Sequence, residues 1–99
     1  MEKAKDVIFL GSALADLRGF PASARRDADD WKPMATIGQG VQEIRIRDAA
    51  GAYRVIYLAR LAAAVYVLHC FQKKTEKTSR LDMQTASRRY RMLMKEQGP

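Results

Sequence analysis

Apolar residues recur along this chain with two spacings, and the switches between them mark out its elements. Asp6–Leu10 (D-V-I-F-L) is short and β-branched, and Gly11-Ser12 stops it, which predicts a first strand. Ser12 is placed to cap a short helix over Ala13–Arg18 by accepting hydrogen bonds from its free N–H groups. Gly19-Phe20 ends that helix, and Pro21 stands where a second would begin, since its missing N–H costs nothing there. Ala22–Asp29 favours helix but is short, with Pro33 limiting its length, and Gly38-Gln39-Gly40 reads as a turn.

Three strands are expected next. Val41–Arg47 alternates, with Ile44 and Ile46 inward and Glu43, Arg45 and Arg47 outward. After a hairpin turn at Asp48-Ala49-Ala50-Gly51 comes Tyr53–Ala59, with Arg54 set among apolar neighbours. Arg60–Ala63 turns the chain into Ala64–Phe71, which is apolar on both faces and therefore central in a sheet. Ser79-x-x-Asp82 resembles a capping box and opens a final helix. Along that helix Met83, Ala86, Tyr90, Leu93 and Met94 make one apolar stripe, with Arg88, Arg89, Arg91 and Lys95 largely on other faces. The order β-α-α-β-β-β-α predicts an α+β sandwich with its helices on one face of the sheet.

Length and composition narrow the function. Ninety-nine residues fit one small domain, here residues 1–99. No run approaches the ~20 apolar residues that span a bilayer, so no membrane association is expected. A lone Cys excludes an intramolecular disulfide and suits the cytoplasm. One His and one Cys are too few for a structural zinc site, and no cofactor is implied. The net charge of +7 is segregated: residues 1–50 carry eight Lys/Arg against eight Asp/Glu, whereas residues 51–99 carry ten against three. Charge gathered in this way points to a polyanionic partner, nucleic acid or ribosome. No helix-turn-helix is apparent, and the cations cluster on strands and turns, which disfavours a DNA-binding protein.

Three blocks carry a family resemblance. W-K-P-M-x-x-I-G-x-G-V-x-E-I-R-I-R (Trp31–Arg47), Y-R-V-I-Y (Tyr53–Tyr57) and Y-V-L-H-x-F-x-K-K-T-x-K-T (Tyr66–Thr78) resemble the phage-derived branch of the RelE/HigB-type toxins. The resemblance covers essentially the whole chain, and the blocks are specific only in combination. It implies a compact microbial-RNase-like fold, with an antiparallel-rich sheet of about four strands, an N-terminal helical hairpin and a C-terminal helix. It further implies a ribosome-dependent endoribonuclease that cuts mRNA in the A site. The partner it implies is a cognate antitoxin, often of helix-turn-helix type. Members usually carry a longer second helix between the R-R-D of Arg25–Asp27 and the D-W-K-P of Asp30–Pro33. Here that helix lacks roughly four turns, which bears on antitoxin docking and ribosomal placement more than on a strand-borne site. The alternative is a catalytically inactive RNA-, ribosome- or antitoxin-binding module of the same fold.

Metal-free RNA cleavage of this kind uses the substrate's own 2′-OH against the adjacent phosphate, so the protein must supply fixed cations and proton transfer. Arg54 is the first candidate. A guanidinium within an apolar strand needs partners or a site to face, and the family's Y-R-x-x-Y arginine contacts the scissile phosphate. Pairing with Glu43 or with a carbonyl across the sheet is the structural alternative. Lys73 and Lys74, just past the third predicted strand, match the family's basic pair. Arg45, Arg47, Lys77 and Arg80 are candidates for tracking the RNA backbone, against the simpler reading of surface charge.

His69 is the one side chain suited to proton exchange near neutrality. Strict alternation places it with Val65, Val67 and Phe71, so a core histidine is the competing reading. The RelE branch uses a Tyr near the start of its last helix, where this chain has Leu81-Asp82. That role is vacant, or falls to His69, Tyr57 or Tyr90. Trp31 is better read as plugging the edge of a core than as stacking a base. Cys70 faces opposite His69, which argues against a Cys–His nucleophile pair.

Overall fold

The computed structural model describes residues 6–22, 30–49, 51–59, 64–75 and 77–97. These form strands β1 (Asp6–Phe9), β2 (Asp30–Pro33), β3 (Val41–Asp48), β4 (Gly51–Leu58) and β5 (Ala64–Lys73), with helices α1 (Ala13–Arg18) and α2 (Arg80–Gln97). The sheet order is β1-β5-β4-β3-β2. β1 runs parallel to β5, and every other neighbouring pair is antiparallel. The α+β sandwich with an antiparallel-rich sheet is therefore as expected. The short edge strand β2 extends it, because the W-K-P main chain pairs with Gln42–Arg45 of β3. Pro33 is tolerated there because an edge position asks for no ladder donor on its outer side. Residues 23–29, where most of the second helix of the hairpin is expected, lie outside the described residues. So do Ala50 of the hairpin turn and the turn at residues 60–63. No helix among the described residues is long and apolar enough to cross a membrane.

The expectation that both helices share one face of the sheet is corrected. One core joins Ala13, Leu17 and Phe20, in and just beyond α1, to Ile46, Tyr53, Val55, Val67 and Cys70. The other joins Ala86, Leu93, Met83 and Tyr90 of α2 to Val41, Ile56, Leu58, Leu68 and Phe71. β4 explains why. Val55 and Ile56 are consecutive, point to opposite faces and are both buried, so each face needs its own cover. The apolar stripe of α2 is thus core.

Two local expectations also change. Ser12 makes no side-chain cap bond to α1. Its hydroxyl donates to Asp16 Oδ2 at 2.8 Å and accepts from Arg89 Nη2 at 3.0 Å, so an opposing cation and a nearby carboxylate outcompete the free N–H groups. On β5, pairing runs Ile56↔His69 and then Tyr57↔Val67, which leaves Leu68 as an extra, bulged residue. Strict alternation fails at that point. Val67 turns towards α1, while His69 shares the α2 face with Phe71. The Leu68 carbonyl accepts from Arg89 Nη1 at 2.8 Å, so the irregular backbone does not go unsatisfied.

Two glycines are required by geometry. Gly51 opens β4 at φ 144°, a value L side chains rarely adopt. Gly38 lies flat against the ring of Tyr90, where any Cβ would overlap it. α2 begins as the capping-box pattern predicts, with the Asp82 N–H donating to Ser79 Oγ at 3.1 Å.

Candidate nucleic-acid interface

Register across three strands assembles the cations. Arg45 of β3 lies opposite Arg54 of β4, and Arg47 lies opposite Ala52, which in turn lies opposite Lys73 of β5. All project from the α2 face, but α2 covers only its apolar half. The remaining half opens as a cleft of about 610 Å³ lined by Arg45, Arg47, Ala52, Arg54, Lys73, Lys74 and Thr75. Ala52 adds little bulk between its longer neighbours. β5 runs further than expected, so Lys73 is its last residue rather than part of the following turn. Five of the eight candidate residues therefore converge on one hollow.

Arg54 is the buried member, 5% exposed. Its Nη1 donates to the Tyr53 carbonyl at 3.1 Å, and its Nε lies 3.7 Å from Glu43 Oε1, buried without a hydrogen bond. Burial pushes its pKa below the ordinary guanidinium value; Glu43 opposes this, and Arg45 and Arg47 reinforce it. It remains a cation at any physiological pH. Arg54 thus has a structural partner and also lines the cleft. Arg45 is half-buried and donates from Nε to the same Glu43 oxygen at 3.1 Å. Glu43, read as outward-facing, is 2% exposed. A lone acid flanked by arginines on an alternating strand is the signal that could have marked it.

A second hollow of about 320 Å³ adjoins the cleft through Lys73, Lys74 and Thr75, and adds Lys77, Ser79 and Asp82. Thr75 Oγ1 donates to the Lys77 carbonyl at 2.6 Å, which shapes this turn. Arg80 lines neither hollow; it is exposed on the first turn of α2.

His69 is on the same face but not in the cleft. It lines a separate hollow of about 540 Å³ between β5 and the end of α1, together with Asp16, Phe20, Tyr53, Cys70 and Asp82. Its Nε2 lies 2.7 Å from Asp82 Oδ1, its ring stacks on Phe71 at 5.0 Å, and its Nδ1 is buried without a partner. Asp82 Oδ2 also accepts from Ser79 Oγ at 2.6 Å, so one carboxylate ties the helix cap to the imidazole. The capping pattern located Asp82 on its helix but gave no sign of its contact with His69, which spans 13 residues of sequence.

Cys70 points the other way, into the α1 core. Burial, helped by Asp16 and opposed by Arg89, pushes its thiol up to about 12. Iodoacetamide at pH 8 is expected to leave Cys70 unmodified in the folded protein and to alkylate it after denaturation, as read by intact mass. Because the folded thiol holds its proton longer than the unfolded one, its contribution to stability is complete below the ordinary thiol range of about 8.5 and is lost as pH rises towards 12. Melting temperatures that stay flat from pH 8 to 11 would contradict that burial.

No curated protein and no solved structure matches the chain. Residues 15–91, however, match the family described as phage derived protein Gp49-like. That span runs from within α1, through all the strands that bear the cleft, to within α2. The chain therefore belongs to the Gp49-like family of phage-derived proteins, a toxin-like family of the RelE/Gp49 type.

Proposed function

We propose that this protein is the toxin of a type II toxin–antitoxin system, a metal-free, ribosome-dependent mRNA endoribonuclease of the RelE/HigB type acting in the cytoplasm. The observation that carries the reading is the placement of buried Arg54 in a cleft whose other charged lining residues, among the described residues, are all cations. In the reaction the 2′-oxygen of the substrate loses its proton and bonds to the adjacent phosphorus. The bond from phosphorus to the 5′-oxygen breaks, and that oxygen takes up a proton. Arg54, Lys73 and Lys74 stabilise the charge that builds on the phosphoryl oxygens, and Arg54 grips two of them with its planar fork. Arg45, Arg47, Lys77 and Arg80 hold the flanking backbone.

For proton transfer His69 is the group favoured by placement. Tyr57 packs in the α1 core and Tyr90 against Gly38, whereas His69 lies on the Arg54 face, two residues from the Phe71 that pairs with Arg54. A cognate antitoxin, often of helix-turn-helix type in such systems, restrains the activity. Induced expression with mapping of mRNA 5′ ends tests the proposal. Growth arrest with new ends inside translated frames is expected. Neither arrest nor new ends, with co-sedimentation on ribosomes retained, would identify a catalytically inactive binding module instead.

A further inference from the structure

Glu43 is a buried acid on the strand face that otherwise supplies the cleft with cations. Burying a carboxylate is costly unless it is paired, and here one oxygen serves two arginines. Glu43 Oε1 accepts from Arg45 Nε at 3.1 Å and stands 3.7 Å from Arg54 Nε. Those two arginines lie directly opposite each other in the β3–β4 ladder, where like charges repel. The carboxylate engages both on the Nε side, next to the aliphatic stem. Arg45 is thereby oriented by a hydrogen bond through Nε, whereas Arg54 is drawn to the same oxygen by charge at Nε and donates from Nη1 to the Tyr53 carbonyl.

Resting on the nuclease reading above, we infer that Glu43 is a positioning residue: a shared carboxylate that sets the spacing and aim of Arg45 and Arg54 towards the phosphate being cleaved. Its charge opposes capture of a polyanion, so its value lies in alignment rather than in affinity. Neutralising it is therefore expected to leave binding intact or tighter while slowing the bond-breaking step.

Glu43→Gln keeps the shape and removes the charge. On ribosomes programmed with a defined mRNA, the cleavage rate at saturating protein is expected to fall roughly a hundredfold, the scale of misplacing a reacting group by about 1 Å. The half-saturating concentration stays the same or drops. Glu43→Asp, which retains the charge with a shorter reach, recovers part of the rate. Circular dichroism melting accompanies each variant. Cleavage by Glu43→Gln at the parent rate overturns the inference, as does a loss confined to the half-saturating concentration. Failure of both variants to fold would assign Glu43 to the fold alone and likewise overturn it. A parent protein that does not cleave at all would instead remove the nuclease reading on which the inference rests.

Discussion

Arg54→Ala is expected to abolish growth arrest on expression while the protein still folds. Removing one preorganised donor aimed at developing charge typically lowers turnover by about 10² to 10³, or about 3–4 kcal/mol of transition-state stabilisation. Here the loss should reach the upper end, because Arg54 is the most buried cation lining the cleft. The fold should tolerate the change for two reasons. Glu43 keeps its 3.1 Å contact with Arg45, so its carboxylate is not abandoned in the interior. The space vacated adjoins an open cleft that water can enter. Arg54→Lys restores the charge without the planar fork and should recover activity only in part. A soluble Arg54→Ala protein with the parent's circular dichroism and undiminished toxicity would refute the role given to this residue.

Replacing Lys73 and Lys74 together with Ala is expected to act on capture. Both line the cleft and the adjoining hollow, so they stand where a strand passing from one to the other must cross. Each phosphate contact with single-stranded nucleic acid contributes about 0.7 to the slope of log affinity against log salt, so the double variant should flatten that slope by about 1.4. Affinity at low salt should fall on the order of tenfold, with little dependence on base sequence, because phosphate contacts position rather than specify. Titration of a non-cleavable oligoribonucleotide at several salt concentrations gives both numbers. An unchanged slope would show that neither lysine touches the backbone.

Much of the cleft was legible in the sequence because it rests on short-range regularities. Alternation along Val41–Arg47 placed Arg45 and Arg47 on one side, and the hairpin between β3 and β4 brought Arg54 opposite Arg45. Lys73 follows from a strand long enough to reach the level of Ala52. What was missed depends on contacts distant in sequence. Glu43 looked solvent-facing because alternation alone cannot say whether a second helix covers that side. The two-sided burial of Val55 and Ile56 could have given the clue, since an apolar residue on each face calls for a layer on each. The Arg89 contacts with Leu68 and Ser12 join residues 21 and 77 positions apart, beyond the reach of local pattern. Trp31 joined the edge of the sheet through its main chain, which hydrophobicity does not report.

The bulged Leu68 has a chemical corollary. By inserting one residue, it decides which of two adjacent side chains, imidazole or thiol, meets the cationic side of the sheet. Were Leu68 instead paired with Ile56 in a regular ladder, with the lower half of the strand held by β1, the two would trade places. The thiol would then turn to the α2 face, and the histidine would be walled in beneath α1. Which of the two groups meets that face is thus written in the pairing of the strand as much as in its residue types.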